Sequence, residues 1–319
     1  MSKPTKKNAL DRFIAWLDTF QQRHSFLAFP YAVIKKYSDD EAGYQAALIA
    51  YYGFLSLFPL LIVATAVIQI VANDNAALQS QFLDNAMRYF PAMSSSLADS
   101  IHAPSKTGLA LVVGLLITFY GARGVANAVQ HALNHVWEVP RSKRAGFPKA
   151  TIKSFGILFY AGIGFIGASA LSGYAVGASH PLSLRLLFAF GGFLTLLVVF
   201  WGLFTFGSSA RKRPFANIPG SLFAAIGFSI LQAVGGYLIA HQLKTQSGLN
   251  AQFAVVLVML FWLYIQAEVF LYAAEINTVR VYGLWPRSIA AKPPLRADEK
   301  AYAYYQKRET FDVEDGIKH

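Results

Sequence analysis

The sequence contains no cysteine and few charged residues. Of its 319 residues, 14% are Asp, Glu, Lys or Arg and 55% are hydrophobic. The lack of cysteine excludes disulfides, thiolate nucleophiles and Cys-based zinc or iron–sulfur sites. A chain of this length that is so poor in charge is atypical of a soluble enzyme and typical of an integral membrane protein.

Charge is missing altogether from five long stretches of the chain. These stretches are 42–73, 154–184, 186–210, 214–243 and 245–267. Each exceeds the roughly 20 residues that an α-helix needs to cross about 30 Å of hydrocarbon. A sixth apolar stretch, 108–129, carries only Arg123. We therefore predict an all-α integral membrane protein, a bundle of six transmembrane helices.

The distribution of Lys and Arg predicts the orientation of this bundle. If the amino terminus is cytoplasmic, the inner segments carry 23 of these residues and the outer segments four. Inner loops of membrane proteins are enriched in Lys and Arg in this way. We therefore predict that both termini are cytoplasmic, and we assign the net charge of +11 to membrane topology rather than to nucleic-acid binding.

Three regions follow from this topology: a cytoplasmic amphipathic arm (1–45), a transmembrane domain (46–280) and a cytoplasmic, largely disordered tail (281–319). The arm has apolar residues at helical spacing, which predict an amphipathic N-terminal helix. These residues are Leu10, Phe13, Ile14, Leu17 and Phe20. Two placements stay open for this helix: in the membrane interface, or packed against the inner mouth of the bundle.

A glycine motif in the third predicted span is interpreted as a packing feature. Residues 162–167 match the G-x-G-x-x-G pattern of dinucleotide-binding folds, but they lie within a charge-free span without a preceding strand. Gly164, Ala168 and Ser172 recur every four residues. This spacing predicts a helix face of small side chains that a neighbouring helix can approach closely.

Neither a metal site nor a catalytic site is predicted. His131 and His135 are four residues apart on one helix face, but the sequence indicates no third ligand. No nucleophile–base arrangement or phosphate-binding loop occurs either, so we predict that the protein is not an enzyme and needs no cofactor.

Pro59 predicts a helix kink in the first span, which the Ser56 hydroxyl partly compensates.

Charged residues within the predicted spans form the candidate site. An unpaired charge at the centre of a membrane helix costs about 2.5–3.5 kcal/mol. We therefore expect Arg123, Glu268 and Glu275 to face the bundle interior, with one of the two carboxylates as the partner of Arg123. A structural ion pair and a substrate or proton site both fit this pattern. Nearby polar residues complete the candidate cluster: Tyr51, Tyr52, Asn127, Asn134 and Asn277.

Several motifs resemble those of a known family. They are Tyr51-Tyr52 with Leu-Ser-Leu-Phe-Pro59, Ala132-Leu-Asn-His-Val-Trp137, Pro219-Gly220, Trp262-Leu-Tyr and Ala274-Glu-Ile-Asn277. Through them the chain resembles the YihY/BrkB family of bacterial inner-membrane proteins over nearly all of residues 40–285. The resemblance implies a multi-pass protein of the bacterial cytoplasmic membrane. The family carries an old ribonuclease label and a virulence-associated name, and its members are candidates for the transport of envelope components.

The sequence thus predicts a transporter or flippase-like protein for an envelope component or another small solute. Its expected partners are membrane lipids and a small-molecule or lipid substrate. A membrane scaffold that does not transport is the alternative, and a membrane-bound ribonuclease is a third candidate. A transporter requires polar groups in a connected cavity, whereas a scaffold uses its polar residues to hold helices together. The oligomeric state is not predicted.

Overall fold

The regular structure of the computed structural model is helical throughout the residues that it describes. Those residues are 9–71, 109–176, 181–210, 213–242, 249–289 and 294–309. Numbered along this part of the chain, the α-helices are α1 Ala9–Arg23, α2 Ser25–Asp39, α3 Ala42–Val71, α4 Leu109–Val136, α5 Lys149–Val176, α6 Leu182–Phe206, α7 Ile218–Gln242, α8 Leu249–Tyr282 and α9 Arg296–Glu309. Short 3₁₀ turns at Arg141–Lys143 and Pro214–Asn217 lie in two of the connections.

Helices α3 to α8 are long enough to cross a membrane. The shortest have 25 residues and α8 has 34, or roughly 38–51 Å at 1.5 Å per residue. Four segments have both the length and the composition of a membrane span: Lys149–Ala175, Leu182–Phe206, Pro214–Gly235 and Val256–Tyr282. The other two predicted spans coincide with α3 and α4, whose side chains are described only in part, so the count of six stays a prediction.

The long helices pack side by side around a closed circuit. Along it, α5 contacts α6, α6 contacts α7, α7 contacts α8, α8 contacts α3, α3 contacts α4, and α4 returns to α5. Aromatic side chains fill part of the interior, where Phe204 stacks on Phe270 with ring centroids 5.0 Å apart. On the outside, Phe159 and Ile166 of α5 are each 72% exposed. Such large apolar side chains are suited to contact with lipid.

Small residues allow α5 and α6 to approach closely. A Cβ added to Gly164 would collide with Val199, and one added to Gly192 would lie 2.7 Å from the Ser172 hydroxyl. Ala168, between Gly164 and Ser172 on α5, is fully buried. The predicted packing role of Gly164, Ala168 and Ser172 is confirmed.

The segment predicted as a largely disordered tail contains α9, so that prediction is wrong for residues 296–309. Asp298 lies in the first turn of α9, and its carboxylate accepts the backbone N–H of Leu295 at 3.1 Å, which satisfies a free helix-end donor. Ala297 and Ala301 are buried, the latter against Val33 and Leu284. The charged composition concealed this buried alanine face. Residues 310–319 lie outside the described part.

The predicted amphipathic helix is confirmed as α1, although residues 1–8 of the predicted arm are outside the described part. The arm also contains α2, which packs against α8. Buried residues of α2 include Lys36 and Tyr37. The arm therefore brings a charged and an aromatic side chain into contact with a spanning helix.

Candidate functional site

The segments predicted to be cytoplasmic meet at one end of the bundle, which we call the charged end. Lys36 of α2 donates to Glu138, which follows α4, at 2.8 Å. The backbone N–H of Ser209, which follows α6, donates to the side-chain oxygen (Oδ1) of Asn134 in α4 at 2.6 Å. Arg308 of α9 lies 3.2 Å from Glu138. Co-location of these segments is what the predicted topology requires.

Five ionisable side chains form the core of the charged end. This Lys36 cluster consists of Lys36, Asp40, Glu138, Glu275 and Arg308. The Lys36 ammonium is fully buried and lies 2.5 Å from Asp40, 2.8 Å from Glu138 and 3.4 Å from Glu275. Arg308 adds a bond to Asp40 at 2.9 Å. The cluster thereby joins α2, α8, α9 and the turn after α4.

The Lys36 cluster contains three carboxyl groups and two cations. Burial raises the pKa of Glu138 to about 7, and the charge of Asp40 adds to this effect while Lys36 and Arg308 oppose it. Burial also opposes ionisation of Asp40, but the adjacent Lys36 ammonium holds the Asp40 pKa below its usual value. Glu138 is therefore a group of the charged end that can change protonation near neutral pH.

A second group of ion pairs, the Arg287 cluster, lies beside the first. Fully buried Arg287 donates to Asp298 at 2.6 Å and to Asp39 at 2.8 Å. Lys35 also binds Asp298, at 3.0 Å. The ring of Tyr305 lies 5.5 Å from both the Lys36 ammonium and the Arg308 guanidinium, close enough for cation–π attraction.

Sequence reasoning missed both clusters. It gave Lys35, Lys36, Asp39 and Asp40 no role beyond their place in the cytoplasmic arm. The i, i+4 spacing of Lys36 and Asp40 was an available signal for one ion pair. Their burial was not visible, because it depends on α8, α9 and the turn at Glu138.

Glu268 has different surroundings, which we call the Glu268 site: Glu268, Tyr37, Tyr264 and Tyr272. The hydroxyl of Tyr37 donates to the Glu268 carboxylate at 3.3 Å, and Tyr264 also hydrogen-bonds it. Tyr272 stacks on Tyr37 with ring centroids 3.9 Å apart. Glu268 is half-buried. Among the described residues, no Lys or Arg nitrogen lies within 4.0 Å of its carboxylate.

The predicted pair between Arg123 and Glu268 or Glu275 is not formed. Arg123 is exposed, and within the described ranges it has no carboxylate at ion-pair distance. Glu275 instead lies 3.4 Å from Lys36. The physical reason is that α2 brings Lys36 to the part of α8 that carries Glu275. The prediction did not include this contact between helices.

Tyr51, Tyr52 and Asn127 lie on the α3 and α4 side of the bundle. Tyr51 is 53% exposed, with its ring centroid 5.4 Å from that of Tyr52. A Cβ added to Gly124, the residue after Arg123, would lie 2.5 Å from the Tyr52 ring. The Ser154 hydroxyl of α5 donates to Asn127 at 2.8 Å. Tyr52 and Asn127 thus hold α3 and α5 against α4 close to Arg123.

Asn134 and Asn277 join helices at the charged end. Asn134 accepts from the Ser209 backbone, as described above. Asn277 of α8 accepts from the backbone N–H of Gly220 in α7 at 2.8 Å. A Cβ on Gly220 would collide with the Ala273 carbonyl oxygen, so this glycine permits the close approach of α7 and α8.

His131 and His135 have ring centroids 6.4 Å apart, and within the described ranges no three His, Asp or Glu side chains are grouped so that they could hold a metal ion. Helix α3 continues through Pro59, and Ser56 donates to the carbonyl of Gly53 at 2.8 Å. The kink at Pro59 stays a prediction, because its side chain lies outside the described part.

Comparison with known proteins identifies related chains. The family model of virulence factor BrkB matches residues 33–291. A UPF0761 membrane protein of Chlorobium phaeobacteroides is 26% identical over 280 residues, which are 85% of this chain and 60% of that protein. The chain therefore spans less than two thirds of that relative. No solved structure matches.

Two other relatives have names that point in different directions. The inner membrane protein YhjD of Escherichia coli is 26% identical over 79% of this chain and 81% of its own length. The ribonuclease-like protein YfkH of Bacillus subtilis is 25% identical over 79% of this chain and 95% of its own length.

Proposed function

Because the chain belongs to the virulence factor BrkB family of membrane proteins, we propose that it transports a small solute or an envelope component across the bacterial inner membrane. The observation that carries this proposal is the environment of Glu268. A carboxylate on a spanning helix, half-buried and without a cation partner among the described residues, is costly to maintain. Intramembrane ionisable groups of this kind mark substrate, ion or proton pathways.

The contrast with the charged end favours transport over a scaffold role. In a scaffold, buried charges should be paired between helices, as in the Lys36 cluster, because an uncompensated buried charge destabilises the fold. Glu268 and Arg123 lie on different spanning helices, and neither has an ion-pair partner in the described part. The two side chains are therefore available to a ligand.

The chemistry of the Glu268 site favours a cationic ligand. A carboxylate beside three tyrosine side chains offers negative charge, hydroxyl oxygens and aromatic faces, all of which attract cations. We infer that this site binds either a proton or a small organic cation. The sequence has no phosphate-binding loop, so the energy for uphill transport comes from an ion gradient or a partner protein.

We also propose six spans with both termini in the cytoplasm. The ion pairs of Lys35 with Asp298 and of Arg308 with Asp40 join the regions before and after the spans. A chain whose two terminal regions are on one side of the membrane crosses it an even number of times. Helices α3 to α8 number six, and the excess of Lys and Arg at the charged end supports its cytoplasmic orientation.

Purified protein in liposomes tests the transport proposal. We would measure proton flux with an entrapped pH-sensitive dye and phospholipid scrambling with fluorescent lipids. We expect the Glu268→Gln variant to lack the activity of the wild-type protein but to insert and purify normally. Glu299→Gln, at an exposed position on α9, is the matched control and should be unchanged.

Other outcomes would separate the rival functions. A wild-type protein inactive in both assays, with Glu268→Gln melting at a lower temperature, would favour the scaffold. The name of the Bacillus relative makes RNA cleavage the third measurement. Cleavage that co-purifies with the protein and is lost in His131→Ala or His135→Ala would replace the transport proposal.

A further inference from the structure

Helix α1 has a row of aromatic side chains that are largely exposed. Phe13, Trp16 and Phe20 are 56%, 59% and 43% exposed. Their rings stack along the helix, with successive centroids 6.2 and 5.6 Å apart. The i, i+3 and i, i+4 spacing places all three on one helix face.

The opposite side of α1 is fixed to the charged end. The Asp18 carboxylate accepts the hydroxyl of Ser288 at 3.0 Å and the backbone N–H of Ile289 at 2.8 Å. Ser288 lies six residues beyond Tyr282, where the last candidate span ends. Helix α1 is therefore held close to the membrane boundary, with its aromatic row turned away from the bundle.

Helix α2 extends the uncovered apolar surface. Phe26 is 86% exposed and Ile34 is 56% exposed. With Pro30 between them, these residues share one helix face by their i, i+4 spacing. An aromatic side chain that is so exposed at the end of a membrane bundle indicates that it contacts an apolar environment outside the protein.

Basic residues accompany this apolar surface in the sequence. Lys3, Lys6, Lys7 and Arg12 precede or begin α1, and Arg23 ends it. Trp and Phe on one face of a helix, together with flanking Lys and Arg, are typical of helices that lie in the headgroup layer of an anionic membrane.

We propose that α1 lies in the membrane interface at the charged end, with Phe13, Trp16 and Phe20 at the boundary of the acyl chains and Arg23 at the anionic phospholipid headgroups. The sequence left two placements open for this helix, in the membrane interface or packed against the inner mouth of the bundle, and this proposal selects the first. Packing against the bundle is disfavoured because the bundle-facing side of α1 carries Asp18, not the aromatic row.

Site-directed spin labelling tests this placement, since the chain has no native cysteine. Single nitroxide labels at Phe13→Cys and Phe20→Cys are compared with Ala15→Cys, an exposed position on another side of α1. In nanodiscs of phosphatidylglycerol and phosphatidylcholine, we would measure the accessibility of each label to oxygen divided by its accessibility to a water-soluble nickel complex. We expect this ratio to be several-fold higher at the first two labels than at the control label. A water-like ratio at all three positions would overturn the proposal.

Two further arms of the experiment address the other occupants and the headgroup. Spin–spin distances below about 20 Å between labels on two copies of the protein, at labels that neither oxygen nor the nickel complex reaches, would mean that a second copy covers the aromatic row. That result would overturn the lipid assignment. In phosphatidylcholine alone, the ratio at Phe20→Cys should fall toward that of the control. An unchanged ratio would overturn the anionic part of the proposal. Melting temperatures close to wild type confirm that the labelled variants are folded.

Discussion

Lys36 and Glu268 both lie at the contact between α2 and α8, but the protein surrounds them differently. Lys36 is fully buried among three carboxyl groups at 2.5–3.4 Å. Glu268 is half-buried among tyrosines and, within the described residues, has no cation at ion-pair distance. At the charged end the opposite charges come from this chain itself. At Glu268, the transport proposal requires a ligand to provide the opposite charge.

Under the transport proposal, this difference separates a structural role of the Lys36 cluster from a functional role of Glu268. Removing one member of a buried ion cluster leaves the remaining charges uncompensated, which destabilises the fold. Removing a group whose counter-charge is a ligand affects binding more than folding. Stability and transport should therefore respond to different substitutions.

The largest expected effect is that of Lys36→Met. The substitution leaves Asp40, Glu138 and Glu275 buried with Arg308 as the cation of the cluster, and we expect a loss of about 3–5 kcal/mol of stability. Thermal unfolding in detergent, followed by size-exclusion chromatography, measures it. The exposed Lys143→Met is the control. A Lys36→Met protein as stable as this control would mean that the charged end is not held by its ion pairs.

Gly164→Leu tests how much stability depends on the close packing of α5 against α6, in comparison with the ion pairs of the charged end. A side chain at Gly164 collides with Val199, whereas one at Gly162 has no neighbour within 4 Å. We expect Gly164→Leu to lower stability by about 1–3 kcal/mol through overpacking. Gly162→Leu, in the same helix, should have little effect. Equal melting temperatures for the two variants would contradict the close contact of α5 and α6.

A smaller effect concerns the pH dependence of the charged end. Burial raises the Glu138 pKa to about 7, so the folded protein binds more protons at this group than the unfolded chain does between pH 4.5 and 7. Stability from Glu138 is therefore present at low pH and is lost as the pH rises through 7, by on the order of 1–3 kcal/mol.

Melting temperatures measured between pH 5 and 8 test this dependence. Asp40, whose pKa is lowered, acts in the opposite direction and below this pH range. The decline should be weaker in Glu138→Gln and unchanged in Glu299→Gln. An equally steep decline in Glu138→Gln would assign the titration to another group.

The smallest effect is expected at the solvent-exposed edge of the charged end. Arg141 and Glu309 are 3.2 Å apart, but both side chains are 52% exposed. Solvent screens such pairs, and their contribution is typically below about 1 kcal/mol. Glu309→Gln should therefore shift the melting temperature by far less than Lys36→Met. A comparable loss in the two variants would remove the distinction between buried and exposed pairs.

The sequence was sufficient for features that depend on local pattern. The long helices, the amphipathic α1 and the small-residue face of α5 each follow from spacing within one segment. The co-location of the segments rich in Lys and Arg followed from the positive-inside rule. These inferences did not require knowledge of which helices are neighbours.

The ion pairs could not be predicted because they depend on that knowledge. Lys36 and its partners Glu138 and Glu275 are separated by 102 and 239 positions in the chain, and composition does not identify α2 as the neighbour of α8. The same gap led to the expectation that Arg123 pairs with Glu268 or Glu275, and it hid the contact between Lys36 and Glu275. The tail was misjudged because its charge was considered without the burial of Ala297 and Ala301.

The Lys36 cluster also has a consequence for the timing of biogenesis. Lys36 is translated early, whereas Glu275 and Arg308 follow 239 and 272 residues later. At about 5–20 residues per second, the ribosome takes roughly 15–50 s to supply the last of these partners. During that interval Lys36 has Asp40 and then Glu138 as carboxylate partners, but the cluster still lacks Glu275 and Arg308. The Lys36 cluster is therefore complete only after α9 has emerged, and a nascent chain that stalls before Arg308 would lack the second cation of the cluster.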